Sequence, residues 1–248
     1  MDTCHRNRAD RCKNLDKYME IMRECQGMQS EEIDLVVKEI NAAADFEALC
    51  MSNYGEDGMD IHPGLEIVQV GEIGLLGSYL LGKFHKDSLF KELPGHFVKS
   101  SVRYFSTRPA YPSLEDIRNL QVKAVYPVTE RGIYASLFKL GKDSGIGMRI
   151  DYESVLLKQA TVEFCEIFNQ DPFELLSCGC VLLLTDHGYE AVRCFKKAGI
   201  PAAVIGHMTK DKDKLICHEE YDSNLNRPRP DAYLAVLKSE LPGEEECL

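Results

Sequence analysis

Strand and helix patterns alternate along most of this chain, which predicts an α+β fold. The expected architecture is a mixed β-sheet with packed helices, preceded by a helical N-terminal segment. Three stretches carry the prediction. Cys180-Val181-Leu182-Leu183-Leu184 is a continuous apolar run of the kind a central strand buries on both faces. Val122 to Tyr126 is apolar and strand-like, and beyond a polar turn Ile133, Leu137 and Leu140 recur at helical spacing. Residues 180–217 as a whole read as strand, helix, strand, strand. The core is expected over residues 65–238, with helices chiefly on one side of the sheet.

Residues 1–60 differ from the rest, with 14 acidic against 7 basic residues. Leu15, Tyr18, Met19, Met22 and Cys25 share one face of a helix. Ser30 can cap a second helix, with Glu31 and Glu32 in its favourable first turn and Ile33, Val36, Val37, Ile40 and Ala44 as its apolar face. Two amphipathic helices without a strand cannot close a core, so they are expected to pack on the remainder or on a second copy. The glycine-rich, acidic stretch Asn53 to Gly64 reads as a linker, dividing the chain into 1–64 and 65–248.

Leu65 to Val70 is strand-like, and Gly71 to Gly77 opens a helix with Leu76, Tyr79, Leu80 and Phe84 on its apolar face. The glycine spacing there fits neither a Rossmann fingerprint nor a P-loop. Pro94 to Asn119 reads as irregular because Pro109 and Pro112 interrupt it. Ile146–Ile150 is a strand and Gln159–Phe168 a helix, and Asp171-Pro172 starts a short one with Pro at its first position. Thr185 and Asp186 offer N-caps for a helix through Lys197 that ends at Gly199. Ala202–Ile205 and Leu215–Cys217 are strands, Arg227 to Pro230 is held extended by its prolines, and a last helix lies near Ala232–Leu237.

Composition narrows the function. A net charge of −11 argues against a nucleic-acid or anionic-membrane surface, since both need clustered Lys and Arg. No apolar run approaches the roughly 20 residues of a membrane-spanning helix. The first residues carry charge without a following apolar stretch, unlike a secretory signal. The 10 cysteines are scattered, so they read as reduced thiols of a cytoplasmic protein. Cys178, Cys180, Cys217, His218 and His207 are residue types that bind metals, but a single C-x-C pair more often packs as small hydrophobes, and no metal is assigned.

The turn at Pro127-Val128-Thr129-Glu130-Arg131-Gly132 carries the candidate site. A strand feeding such a turn into a helix leaves free backbone N–H groups at the positive end of the helix dipole, which suits a phosphate. The plainer alternative is an ordinary β-turn-α connection with Thr129 as N-cap and Gly141 and Gly145 ending the helix. If a ligand site exists, it is expected where Thr129, Glu130, Arg131 and Gly132 meet Gly74 and the Ser177-Cys178-Gly179 turn. Arg131 either binds phosphate as a charged fork or is a surface residue.

The order of these motifs resembles the C-terminal domain of the AIR synthase-related superfamily, which includes aminoimidazole ribonucleotide synthetase, selenophosphate synthetase and thiamine-phosphate kinase. The hydrogenase expression/formation (maturation) members are the most similar. The family's Asp-x-Thr/Ser-x-Gly-Gly motif corresponds to Pro127 through Gly132, and Ser144-Gly145-Ile146-Gly147, Asp171-Pro172, Ser177-Cys178-Gly179, Ala198-Gly199-Ile200 and Val204-Ile205-Gly206 follow in the family's order. Pro127 stands in place of the family's Asp and Arg131 in place of its first Gly. The resemblance implies ATP and magnesium binding by acidic strands of an N-terminal domain. Those strands have no counterpart here, so stand-alone ATP-dependent activity is not expected. It implies as partners a phosphorylated small molecule, a second copy, or a protein supplying the missing half. The alternative is a structural or self-associating module with no ligand site. The maturation dehydratase ends on a cysteine that carries its reacting group. Cys247 is penultimate and follows Glu244, Glu245 and Glu246, which raise a thiol's pKa, so no carrier role is assigned.

Overall fold

The computed structural model describes Glu20 and residues 30–51, 60–107 and 111–239. The expected helix at Leu15–Cys25, the linker at 53–59 and Cys247 lie outside these. Seven strands form one sheet: β1 (Glu66–Val70), β2 (Ala124–Val128), β3 (Gly147–Asp151), β4 (Cys180–Thr185), β5 (Ala202–Thr209), β6 (Lys214–Cys217) and β7 (Asp222–Asn224). Their order is β2-β4-β1-β5-β3-β6-β7. The β3–β6 pairing is parallel and the other pairings are antiparallel, so the sheet is mixed.

Nine helices occur among the described residues: α1 (Ser30–Met51), α2 (Leu75–Phe84), α3 (Lys86–Glu92), α4 (Gly95–Thr107), α5 (Leu114–Asn119), α6 (Gly132–Ser144), α7 (Gln159–Ile167), α8 (Gly188–Lys197) and α9 (Ala232–Ser239). They cover both faces of the sheet, which corrects the one-sided expectation. Ile133, Leu137 and Leu140 of α6 pack with Ile67, Tyr126 and Leu182 on one face. Phe46 of α1, Ile117 of α5 and Phe195 of α8 pack with Val68, Val125 and Leu183 on the other. The cause is β4, whose six residues are all buried; a strand apolar on both sides needs cover on both. A third cluster lies beyond the sheet between helices, built from Val36, Leu76, Leu80, Val98, Phe164 and Tyr233.

Residues 94–119 also differ from expectation, because Pro94 and Pro112 stand beside helices instead of interrupting them, while Pro109 lies outside the described residues. The Pro94 carbonyl accepts from Phe97 N at 2.9 Å as α4 begins, and Val98 and Phe105, two turns apart, bury one face of that helix. Pro112 precedes α5, whose N-cap Ser113 accepts from Asp116 N at 3.1 Å. Gly141 lies inside α6, which ends at Gly145 with φ 67°. The short, polar β7 carries little apolar signal and was not anticipated.

The N-terminal helix α1 packs on the core as expected. Its Phe46 stacks on Tyr111 at 4.8 Å, Glu47 pairs with Lys139 of α6 at 2.9 Å, and buried Glu32 accepts the Tyr233 hydroxyl of α9. No helix among the described residues is long and apolar enough to cross a membrane.

Candidate functional site

Strand β2 delivers the candidate turn. Pro127 fits there because β2 pairs only with β4 and leaves its other edge free of ladder bonds, so a missing N–H costs little. Arg131 and Gly132 then follow at φ 60° and 63°, both left-handed. Gly132 is required, since a methyl group there would overlap the Phe173 carbonyl oxygen. Arg131, not Thr129, occupies the position before α6, and no side chain of the turn caps the helix. Thr129 contributes its carbonyl instead, accepting from Ser177 N at 2.9 Å and Gly132 N at 3.3 Å.

Ser177 joins two of the predicted segments. Besides its bond to Thr129, its hydroxyl accepts from Gly74 N at 2.6 Å and donates to the Leu175 carbonyl at 2.9 Å. Gly74, at φ 70° before α2, is thus held beside the turn. Gly179 is not drawn in. Its N–H donates to the Tyr111 hydroxyl at 3.0 Å, and Tyr111 belongs with the cluster under α5 and α8.

The residue that sequence reasoning missed is Asp231. It comes from the far end of the chain, is 1 % exposed, and accepts Arg131 N at 2.6 Å. Its other oxygen accepts Tyr233 N at 2.9 Å. One carboxyl therefore caps α9 and covers the start of α6. Burial pushes it up to about 8 and the Glu130 charge adds to the rise, against the pull of the backbone donors. Asp between Pro230 and a helix pattern was readable as an N-cap; its reach across the fold was not.

The extended segment leading to Asp231 is tied down by Arg229, which donates to Glu174 at 2.9 Å and lies 3.5 Å from Asp171. The half-buried Arg131 guanidinium, by contrast, has no hydrogen-bond or ion-pair partner among the described residues. Cys178 and Cys180 are fully buried thiols, and burial raises the Cys180 thiol, which fits packing. No group of three or more His, Cys, Asp or Glu among the described residues is placed to hold a metal ion.

The fold and this turn define a class. Residues 62–218 match the family described as AIR synthase related protein, C-terminal domain, and the chain belongs to it. Among curated proteins it is 25% identical over 169 residues to carbamoyl dehydratase HypE of Rhizobium leguminosarum bv. viciae, covering 64% of this chain and 46% of that protein. Similar solved structures include E. coli HypE, a hydrogenase maturation protein, at 18% identity and TM-score 0.53, covering 70% of this chain and 52% of that one. A HypE structure in complex with ATP matches at 14% identity and TM-score 0.51, covering 70% and 53%. A HypE–HypF complex matches at 18% identity and TM-score 0.50, covering 68% and 54%. This chain spans about half the length of these relatives. It is a HypE-like member of the superfamily.

Proposed function

We propose that this chain is a HypE-like component without ATP turnover of its own, which binds a phosphorylated small molecule at the turn where α6 begins. In this reading residues 65–248 form the family domain and 1–64 a helical accessory segment. One observation carries it: the Arg131 guanidinium is left without an acidic partner among the described residues of a chain with net charge −11. It stands at the N-terminus of a 13-residue helix, where the dipole adds to its charge. Thr129, Glu130 and Gly132 shape the turn and Gly74 flanks it, whereas Gly179 serves the Tyr111 contact. ATP and magnesium are assigned no role in this reading.

Sulfate, phosphate and nucleotides titrated against wild type and Arg131→Ala test the reading. Phosphate-bearing ligands are expected to bind in a salt-sensitive manner and to lose roughly 1.5–3 kcal/mol in the variant, as for a charge-assisted hydrogen bond. No binding by wild type at millimolar ligand leaves the alternative, a structural or interacting module. That alternative has support of its own, because one similar structure is a complex with a second protein, HypF.

A further inference from the structure

We infer that the C-terminal strap, residues 227–231, is an autoinhibitory plug: Asp231 holds the α6 N-terminus closed, and the strap must lift before a phosphate-class anion reaches the Arg131 turn. The inference rests on the anion-binding reading above and adds its regulation.

The geometry is that of an internal occupant. Asp231 draws N–H donors from two separate stretches: Arg131 before α6, and Tyr233 in its own helix. The first of these is the one a ligand at this turn would use. A group that only capped α9 would not need Arg131. The carboxyl is buried, yet the residues that deliver it, Arg227, Arg229 and Pro230, are exposed. Pro228 and Pro230 keep the strap extended and leave it without two backbone donors, so it docks through few bonds. The outer fastening is Arg229 on Glu174 and Asp171, with the Arg229 side chain 68 % exposed. A strap fixed by one buried carboxyl and one exposed guanidinium resting on two carboxylates can lift without opening the sheet.

The test uses the full chain and inorganic phosphate, with chloride at matched ionic strength as reference. Wild type binds only in the fraction of molecules whose strap is lifted, so its melting temperature should rise by a degree or less, roughly, in 10 mM phosphate. Asp231→Ala removes the plug and should become phosphate-responsive, its melting temperature rising by several degrees because the ligand binds only the folded state. Asp231→Asn, which keeps the shape, should respond little. Arg229→Ala leaves Asp231 in place and covers the case in which Asp231→Ala fails to fold. It should speed hydrogen exchange across residues 228–239 and make that exchange rise further with phosphate. Wild type that binds phosphate while exchange across 228–239 stays unchanged overturns the plug and leaves the anion site standing. A folded Asp231→Ala, or an Arg229→Ala with faster exchange, that ignores phosphate overturns the anion site and the plug together.

Discussion

At the candidate turn two residues in succession take positive φ, and their chemistry differs. Gly132 suits the left-handed region and leaves room for the Phe173 carbonyl, so Gly132→Ala combines backbone strain with a steric overlap. It should cost about 2 kcal/mol or more, read as a lower urea midpoint with unchanged slope. Arg131 accepts the same strain as a non-glycine residue. Asp231 sets a pH dependence. Its folded pKa, about 8, lies above the roughly 3.9 of an unfolded Asp, so the native state holds the extra proton. The stability linked to that proton is full below about pH 4 and is lost as pH rises through about 8. Glu130 beside the turn and the Cys165 thiol of α7 are the other titratable groups coupled to this carboxyl, and neither supplies a compensating positive charge. Melting temperature should therefore fall between pH 5.5 and 9, and Asp231→Asn should flatten that slope; an equal slope in the variant contradicts the assignment.

At the scale of elements, what was legible follows from local pattern. The apolar run of β4 announced a central strand, and Ile133, Leu137 and Leu140 announced α6, because burial on a strand or a helix face leaves a period in the sequence. Residues 94–119 were misread because a proline beside a helix and one within it look alike without knowledge of the boundaries. The second layer of helices was hidden for another reason: the apolar faces of α5 and α8 reveal that they pack, not on which side. Arg131 and Asp231 are 100 residues apart, and nothing local in either signals the other. Helix α1 was legible as amphipathic, and its docking gives a prediction. Phe46 is buried, stacked on Tyr111, and shares the cluster under β4. Phe46→Ala should lower unfolding free energy by roughly 3 kcal/mol, the usual cost of emptying a buried aromatic site. A loss under about 1 kcal/mol would show that α1 packs only loosely on the sheet.

For the whole molecule, the central question is whether the chain turns over ATP unaided. Family membership rests on residues 62–218, and the relatives it resembles, one of them solved with ATP, are about twice as long. The resemblance assigns magnesium and nucleotide to acidic strands of an N-terminal domain, whereas the stretch described ahead of β1 is helical. At the turn proposed for phosphate, Asp231 already takes the Arg131 N–H. Transfer of a phosphoryl group depends on positioning and on charge stabilisation of the three equatorial oxygens, and a single guanidinium at a capped helix supplies little of either. Pure protein supplied with Mg-ATP should therefore release phosphate no faster than a buffer control. Turnover that persists through purification and is abolished by a point substitution in this chain, such as Arg131→Ala, would refute the prediction, since a contaminating ATPase would not respond to that change. If turnover appears only when a second polypeptide is added, the same substitution in the mixture reports whether the α6 turn takes part: unchanged turnover places the chemistry wholly on the partner, and a loss places the turn within the joint site.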